Sequence, residues 1–359
     1  MRFYITKNTL LFKQRAGTSR GTYTERKVWY VTLSDDNDPE HKGVGECAPL
    51  PKLSCDDLPD EEYEKLLMSF ANETATNGFI NYESLKPYPS ILFGLETALW
   101  HYNRNTVRLS DTSFSKGQRG IRINGLIWMG TFDEMKHRIE EKLNSGYNCV
   151  KLKIGAIDFD DELNLIKKIR ESYSKDVIEL RVDANGAFKP GEDALSKLEQ
   201  LSKFGIHSIE QPIMAGQWDS MAELCRQTPL PIALDEELIG INDKALKSEL
   251  IESINPQYII LKPSLHGGIN GGEEWIELAQ THNIGWWITS ALESNVGLNA
   301  IAHWCAMLQE GKSMTGITLG TPKPTMPQGL GTGQLFVQNI PYPLNIETRS
   351  DGIPALYVI

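Results

Sequence analysis

The sequence from Val150 to just beyond Ser290 decides the fold, because one arrangement recurs in VKLKIG (150–155), RVDANG (181–186), SIEQP (208–212), IALDEE (232–237), IILKP (259–263) and WITSALES (287–294). In each segment a short apolar run ends in a charged or hydroxyl side chain. These end residues follow one another at intervals of 30, 27, 25, 27 and 28 positions: Lys153, Asp183, Glu210, Asp235, Lys262 and Ser290. One βαβ unit takes roughly 30 residues. The spacing therefore predicts parallel strands that alternate with helices.

Charged residues at the ends of buried strands predict how those strands are arranged. Burying a charge costs free energy unless the charge faces a polar environment. A (β/α) barrel meets this condition, because the C-terminal ends of all its strands open into one mouth. We therefore predict an α/β fold, a modified (β/α)7β barrel of the TIM type, with two amines and three carboxylates facing one another.

Eight strands and seven helices can be assigned from residue 121 onward. The strands are predicted at Ile121–Ile123, Cys149–Ile154, Val177–Val182, Ser208–Glu210, Pro231–Leu234, Tyr258–Leu261, Gly285–Ile288 and Ile317–Leu319. The first helix has clear end signals, since Thr131 can cap it, Glu134 completes a capping box and Gly146 can end it. The other helices are predicted at Asp160–Tyr173, Asp193–Phe204, Ser220–Gln227, Asp243–Ile254, Glu273–His282 and Val296–Leu308. The Pro- and Gly-rich residues that follow the last strand predict no eighth helix.

The N-terminal part lacks the strand–helix rhythm and predicts a separate α+β capping domain. We expect residues 1–118 to form it together with a returning tail, 334–359, and residues 119–333 to form the barrel. A strand is predicted at Val28–Leu33, and helices within Pro59–Thr76 and Ser90–His101. Irregular loops are predicted at Arg15–Glu25 and Gly43–Ser54, and short tail strands at QLFVQ (334–338) and ALYVI (355–359).

Composition limits the kinds of partner. The formal net charge of −11 argues against nucleic acid or an anionic membrane, although an anionic small molecule could still bind near lysines or a cation. No run reaches the roughly 18 apolar residues of a membrane span, and the first residues lack the pattern of a secretory signal. Five scattered cysteines without a CxxC pair suit reduced thiols. These features predict a cytoplasmic protein; the oligomeric state is not indicated.

The three carboxylates predict a metal site. Asp183, Glu210 and Asp235 end three consecutive strands, and converging carboxylates repel one another without a cation. A ligand set made only of oxygen favours Mg²⁺, with Mn²⁺ as a substitute. A single carboxylate of this kind is usually explained by a salt bridge or a helix cap. The even spacing of three such residues beside lysines favours the metal.

The lysines predict acid–base chemistry beside that metal. Side chains alternate along a strand, so Lys151 and Lys153 point the same way. A nearby cation and partial desolvation lower a lysine pKa towards the range of a useful base. Lys262 is expected on the far side of the mouth, and Glu236 is expected to point away from it. A phosphate-binding lysine patch is the alternative, but no Gly-rich phosphate loop precedes a helix here.

The charged motifs together resemble those of the enolase superfamily, in its muconate-cycloisomerase-like subgroup: KLK (151–153), DAN (183–185), EQP (210–212), DE (235–236) and LKP (261–263). The resemblance covers nearly the whole chain, and it implies a lysine base with Mg²⁺. It also implies a capping domain that places the loops near Ser19 and Leu50 over the mouth.

Four further segments resemble members of the subgroup that dehydrate a succinyl-substituted cyclohexadiene carboxylate: AGTSRG (16–21), GECAPLP (45–51), SALES (290–294) and GLGTGQLF (329–336). The resemblance implies that Lys153 removes the α-proton and that Lys262 stabilises the enediolate from the other side of the ring. Metal ligands would be Asp183, Glu210 and Asp235. Supporting or substrate-binding roles would fall to Lys151, Arg181, Asn185 and Ser290.

Other activities fit the same core. A lysine on each face of the substrate also suits an N-acylamino acid racemase or a dipeptide epimerase. Dipeptide epimerases carry acidic residues near the eighth strand, and residues 317–333 contain no Asp or Glu. A muconate-lactonising activity fits the loop motifs less well. A barrel that only binds a metal or a carboxylate is the alternative outside enzymes, although it has no need of two such lysines.

Overall fold

The computed structural model describes residues 1–18, 21–320 and 326–359. Its N-terminal part is an antiparallel sheet packed against helices. The sheet has the order β1 (Arg2–Thr18), β2 (Gly21–Ser34), β3 (Lys42–Cys47), and the helices are α1 (Asp60–Asn77), α2 (Tyr82–Leu85) and α3 (Pro89–Arg104). A separate apolar core, which includes Val31, Leu67 and Leu95, fills the space between them.

The second part is a parallel barrel surrounded by helices. Its strands are β5 (Gly125–Ile127), β6 (Cys149–Lys153), β7 (Glu179–Asp183), β8 (Ser208–Glu210), β9 (Ile232–Leu234), β10 (Tyr258–Leu261) and β11 (Gly285–Ile288). The helices are α4 (Phe132–Asn144), α5 (Phe159–Ser172), α6 (Glu192–Ser202), α7 (Trp218–Gln227), α8 (Lys244–Ile254), α9 (Gly268–Thr281) and α10 (Asn295–Gln309). The predicted barrel with a capping sheet is confirmed.

Two of the eight predicted barrel strands are wrong in detail. The first barrel strand is β5, because Ile121–Arg122 (β4) pairs antiparallel with the tail instead. Residues 317–319 form no strand. The eighth position is filled by Gln328 and Gly329, which bridge in parallel to Ile123 and Thr289. The Gly329 N–H donates to the Ile288 carbonyl at 2.8 Å, so this segment joins the last strand to the first.

The helix ends follow local chemistry. Helix α4 begins with the predicted capping box, in which Thr131 and Glu134 bond each other's backbone N–H groups. Helix α9 begins at Gly268, five residues before the predicted start at Glu273. Glycine has a low helix propensity, so the sequence does not indicate this start. In the structure the N–H groups of Ile269 and Asn270 donate to the Glu96 carboxylate of α3, which is remote in sequence. None of the helices in the described ranges is long and apolar enough to cross a membrane.

The tail returns to both parts of the molecule. Lys13 N–H donates to the Leu335 carbonyl at 2.8 Å, and Phe12 pairs with Phe336, so QLFVQ lies beside β1 without forming a strand of its own. A hairpin of β12 (Leu344–Thr348) and β13 (Pro354–Val358) then pairs with β4 beside the barrel. The predicted ALYVI strand is present as β13. Strands β1 and β12 were not predicted, because most of their alternate side chains are partly or fully exposed and leave no continuous apolar run. The irregular loop predicted at Gly43–Ser54 is wrong at its start, which belongs to β3.

Candidate active site

A cavity of about 480 Å³ lies at the C-terminal ends of the barrel strands. The ionisable side chains predicted to meet there line it, except Glu210: Lys151, Lys153, Asp183, Asp235 and Lys262. Glu210 is buried beside them and bonds Lys151. Five of the six charged residues predicted to meet in the mouth therefore face one cavity, and the sixth, Glu210, bonds Lys151.

Strand register explains why these side chains meet. Lys153 pairs with Asp183 across β6 and β7, and Asp183 pairs with Glu210 across β7 and β8. Paired residues of adjacent parallel strands point to the same face of the sheet. Lys262 follows β10, which is four positions from β6 in the closed ring of seven strands and the Gln328–Gly329 segment. Lys153 and Lys262 therefore lie on opposite sides of the mouth.

The lysines and carboxylates form a compact set of ion pairs. Lys151 Nζ lies 2.9 Å from Asp183 Oδ2 and also bonds Glu210, while Lys153 Nζ donates to the same Asp183 oxygen at 2.9 Å. On the opposite side, Lys262 Nζ donates to Asp235 Oδ2. The other side chains of the set are buried and that of Lys262 is 12% exposed, so the charges interact more strongly than they would on the surface.

Opposing charges shift the pKa values of this set. Burial alone would raise the pKa of Asp183, but Lys151 and Lys153 hold it far below its usual range. Burial and the nearby Asp183 raise the pKa of Glu210 well above its usual value. Burial alone would lower the pKa of Lys262, but Asp235 and Glu210 raise it. Glu210 is therefore the carboxylate whose negative charge the three lysines compensate least.

The donor set fits a hard divalent cation. Two buried carboxylate oxygens, Glu210 Oε1 and Asp235 Oδ1, accept no hydrogen bond from the described residues. Within those same ranges no three His, Cys, Asp or Glu side chains are arranged to hold a metal as they stand. Lysine Nζ atoms bond Asp183, Glu210 and Asp235 instead. Oxygen-only ligands with unused acceptors match the preference of Mg²⁺.

Asn185 and Glu236 extend the set on one side. Lys153 Nζ donates to Asn185 Oδ1 at 2.6 Å, and Asn185 Nδ2 donates to Glu236 Oε1 at 2.9 Å. The prediction that Glu236 points away from the mouth is wrong: it lines the cavity and is buried. Strand β9 ends at Leu234 and a short 3-10 helix, Glu236–Leu238, follows, so strand alternation no longer applies. Burial and then Asp235 raise the pKa of Glu236 to about 7.

Two other predicted residues have different surroundings. Arg181 does not line the cavity; it lies deeper in the barrel, pairs with Glu179 at 2.7 Å and stacks over Trp287 at 4.5 Å. Ser290 does line the cavity, but its hydroxyl donates to Glu293 at 2.6 Å and accepts from the Leu292 N–H at 3.0 Å. The hydroxyl hydrogen of Ser290 is thus directed at a carboxylate of the protein.

The capping sheet covers the mouth with apolar side chains. Leu50 and Leu53 of the predicted second loop line the cavity, as do Phe12, Ala16 and Tyr23 from β1 and β2. The irregular loop predicted at Arg15–Glu25 is wrong for residues 15–18 and 21–25, which belong to β1 and β2, while residues 19 and 20 lie outside the described residues. Sequence reasoning missed Phe12 and Tyr23, although both lie next to the first predicted loop or within it. Their contribution follows from the position of β1 over the barrel, which no local pattern indicates.

A capped (β/α) barrel with lysines on both sides of a carboxylate cluster defines a class of enzyme. Residues 134–335 match the family model described as "Enolase C-terminal domain-like". The chain belongs to the enolase superfamily.

Individual members of the superfamily differ in how similar they are to this chain. The chain is 44% identical to the o-succinylbenzoate synthase of Desulfotalea psychrophila, over 98% of this chain and 99% of that one. The crystal structure of MenC from Desulfotalea psychrophila LSv54 superposes with a TM-score of 0.79 at 41% identity, over 99% of each chain. The L-Ala-D/L-Glu epimerase of Bacillus subtilis is 27% identical over 48% of this chain and 47% of its own length.

Proposed function

We propose that this protein is an o-succinylbenzoate synthase, a hydro-lyase of menaquinone biosynthesis. The reaction is the dehydration of 2-succinyl-6-hydroxy-2,4-cyclohexadiene-1-carboxylate to o-succinylbenzoate. Lysines on opposite sides of a carboxylate-lined cavity, Lys153 and Lys262, support removal of a proton next to a carboxylate, and similarity along the whole chain carries the choice of this reaction. The 44% identity to the Desulfotalea psychrophila synthase along nearly the whole chain supports this activity over those of the more distant relatives.

The metal ligands in this proposal are Asp183, Glu210 and Asp235. Bound by these residues, Mg²⁺, with Mn²⁺ as a substitute, would supply positive charge next to the substrate carboxylate and so favour loss of the neighbouring proton. The unused oxygens of Glu210 and Asp235 support this assignment. Lys151 bonds two of the three ligands, Asp183 and Glu210, and so holds them in position.

Lys153 is the base in this proposal. As a neutral amine it takes the proton from the ring carbon that carries the carboxylate and becomes an ammonium. The ring C–O bond then breaks, and the departing hydroxide takes the proton from the Lys153 ammonium and leaves as water. The electron pair of the broken C–H bond completes the aromatic ring. Lys153 returns to the neutral amine, so atoms and charge balance over the cycle.

Lys262 and the residues around it position the ring. Lying across the mouth from Lys153, its ammonium stabilises the negative charge that develops and can contact the ring face. Arg181 supports the barrel from below through Glu179 and Trp287. Contact between Ser290 and the succinyl tail stays a prediction, and it requires that the serine hydroxyl leave Glu293. The leucines and aromatic side chains of the cap suit the carbon ring of such a substrate.

Comparison of two substrates tests the function. The purified protein is offered the cyclohexadiene carboxylate and an N-succinyl amino acid, each with Mg²⁺, and kcat/KM is measured for both. We expect a clear preference for the cyclohexadiene, with loss of turnover when the metal is chelated. A higher kcat/KM for the amino acid would assign the protein to the N-acylamino acid racemases instead. Absence of turnover and of solvent deuterium exchange with both would indicate a barrel that only binds.

A cytoplasmic location of the protein is supported by its cysteines and by the proposed reaction. All five cysteines are free thiols, and four of them are buried. Reduced thiols and a biosynthetic reaction suit the cytoplasm.

A further inference from the structure

Asn185 lies between the proposed base and a buried carboxylate that the mechanism above does not use. Its side-chain oxygen accepts from Lys153 Nζ at 2.6 Å, and its side-chain NH₂ donates to Glu236 Oε1 at 2.9 Å. Glu236 is 6% exposed, so water offers little competition for these bonds. The three side chains form a linear chain of hydrogen bonds that ends at the amine.

The direction of each bond in this chain follows from which groups donate and which accept when Glu236 is ionised. A lysine amine or ammonium gives N–H groups to its acceptors, whereas an ionised carboxylate only accepts. An amide has one accepting end and one donating end. Glu236 therefore requires the NH₂ end of Asn185, which leaves the oxygen end for Lys153. Both neighbours select the same orientation of the amide.

The backbone also holds Asn185 in place. Its φ of +43° lies in the left-handed region, which asparagine tolerates better than most residues. Its N–H donates to Asp183 Oδ1 at 3.1 Å. The Glu236 end is held as well, since the next residue, Glu237, accepts from Gln211 Nε2 at 2.9 Å and from the Gly216 N–H at 2.7 Å.

Two acceptors contact the Lys153 amine, Asp183 Oδ2 at 2.9 Å and Asn185 Oδ1 at 2.6 Å. A neutral amine has two N–H bonds and one lone pair. When both N–H bonds point at these acceptors, the lone pair has to point elsewhere, and Lys153 lines the cavity. The acceptor oxygen of Asn185 thus aims the reactive electron pair at bound substrate.

We propose that Glu236 is a positioning residue for proton abstraction, which acts through Asn185 to orient the Lys153 amine. The inference rests on the proposed function only in taking Lys153 as the base. Glu236→Gln removes the constraint on direction, because the glutamine oxygen or its NH₂ can face Asn185. When the NH₂ faces Asn185, the asparagine amide turns over and presents a donor to Lys153, and the amine loses its second acceptor.

The test uses steady-state kinetics on the full-length protein with Mg²⁺ and the cyclohexadiene carboxylate. Glu236→Gln should lower kcat roughly 10- to 100-fold, as small misplacements of reacting groups do, while KM changes less than about threefold. Glu199→Gln, on the exposed side of α6, is the control for the loss of one negative charge, and its kcat should stay near that of the wild type.

A double-mutant cycle separates positioning from a merely structural role. Asn185→Gly removes the linking amide and suits the positive φ. If Glu236 acts through Asn185, adding Glu236→Gln to Asn185→Gly should lower kcat no further, because the two effects are not additive. If the kcat of the double variant fell by the product of the two single-variant losses, the inference would be overturned. An unchanged kcat in Glu236→Gln, or a tenfold loss of Mg²⁺ affinity in that variant, would also overturn it. If Glu236→Gln does not fold, Asn185→Gly alone must lower kcat at unchanged KM.

The wild type provides the reference that keeps two failures apart. If the wild-type protein does not turn over the cyclohexadiene carboxylate, the proposed function fails. If the wild type is active and Glu236→Gln is equally active, only the role of Glu236 fails.

Discussion

Lys153, Asp183 and Glu210 show how much of a site strand position can predict. Each ends an apolar run, and the observed register places the three beside one another on neighbouring strands. Alternation and a constant spacing were enough to predict this. Glu236 lies outside the reach of that rule, since the chain leaves the strand one residue earlier and turns into a short helix. Arg181 points into the barrel, as strand alternation predicts, but it lies below the cavity. The sequence pattern did not show how far from the mouth its side chain would lie.

The metal assignment makes a prediction for Glu210. Glu210→Gln keeps the shape of the side chain but removes a charge from the proposed ligand set. We expect Mg²⁺ affinity to fall roughly tenfold or more, because affinity at such sites follows the number of charged ligands. Titration calorimetry with Mg²⁺ measures this. Glu171→Gln, on the exposed side of α5, is the control, and equal affinities of the two variants would remove Glu210 from the ligand set.

Individual helices show which ends are encoded locally. The capping box at Thr131 was read from the sequence because both partners lie within one turn. Helix α9 is different, because the acceptor for its first N–H groups, Glu96, belongs to α3 and lies more than 170 positions away. Its true start at Gly268 therefore depends on tertiary packing.

Glu96 makes helix α9 sensitive to pH. Burial, with Glu273 and Glu274 nearby, raises its pKa to about 8, whereas an exposed glutamate has a value of 4.5. Between these values the folded state holds a proton that the unfolded state releases, so the stability contribution is present below pH 4.5 and is lost as pH rises through 8. We expect the free energy of unfolding of the wild type, relative to Glu96→Gln, to fall by roughly 2 kcal/mol between pH 6 and pH 8. Urea denaturation at both pH values measures the difference; parallel pH profiles would contradict it.

At the scale of the whole molecule, hydrogen bonds between segments that are distant in sequence close the barrel and join it to the cap. The barrel closes through Gln328 and Gly329 rather than through residues 317–319. Both segments are short, and which of them pairs with the neighbouring strands depends on the tertiary structure, not on a local sequence pattern. The capping sheet joins the barrel at Glu46 of β3, which accepts from the Ser294 N–H at 2.9 Å and the Gly297 N–H at 2.8 Å. The sequence predicted the two parts, but not this joint. The boundary at residue 118 stays a prediction.

Glu46→Ala tests the joint between cap and barrel. The change leaves the first N–H groups of α10 buried without an acceptor, and each unsatisfied group costs about 1–3 kcal/mol. We expect a loss of roughly 2–4 kcal/mol in the free energy of unfolding, measured by urea denaturation. Glu25→Ala on the exposed side of β2 should change stability little. A loss of the same size in both variants would argue against a structural joint at Glu46.

The central claim is that Lys153 removes the proton next to the substrate carboxylate, and Lys153→Ala tests it most directly. Turnover of the cyclohexadiene carboxylate and Mg²⁺ affinity are measured on the same preparation. We predict that kcat falls by roughly 10³-fold or more, as expected when a general base is lost, while Mg²⁺ affinity changes less than about threefold. Turnover near the wild-type rate in Lys153→Ala would contradict the claim.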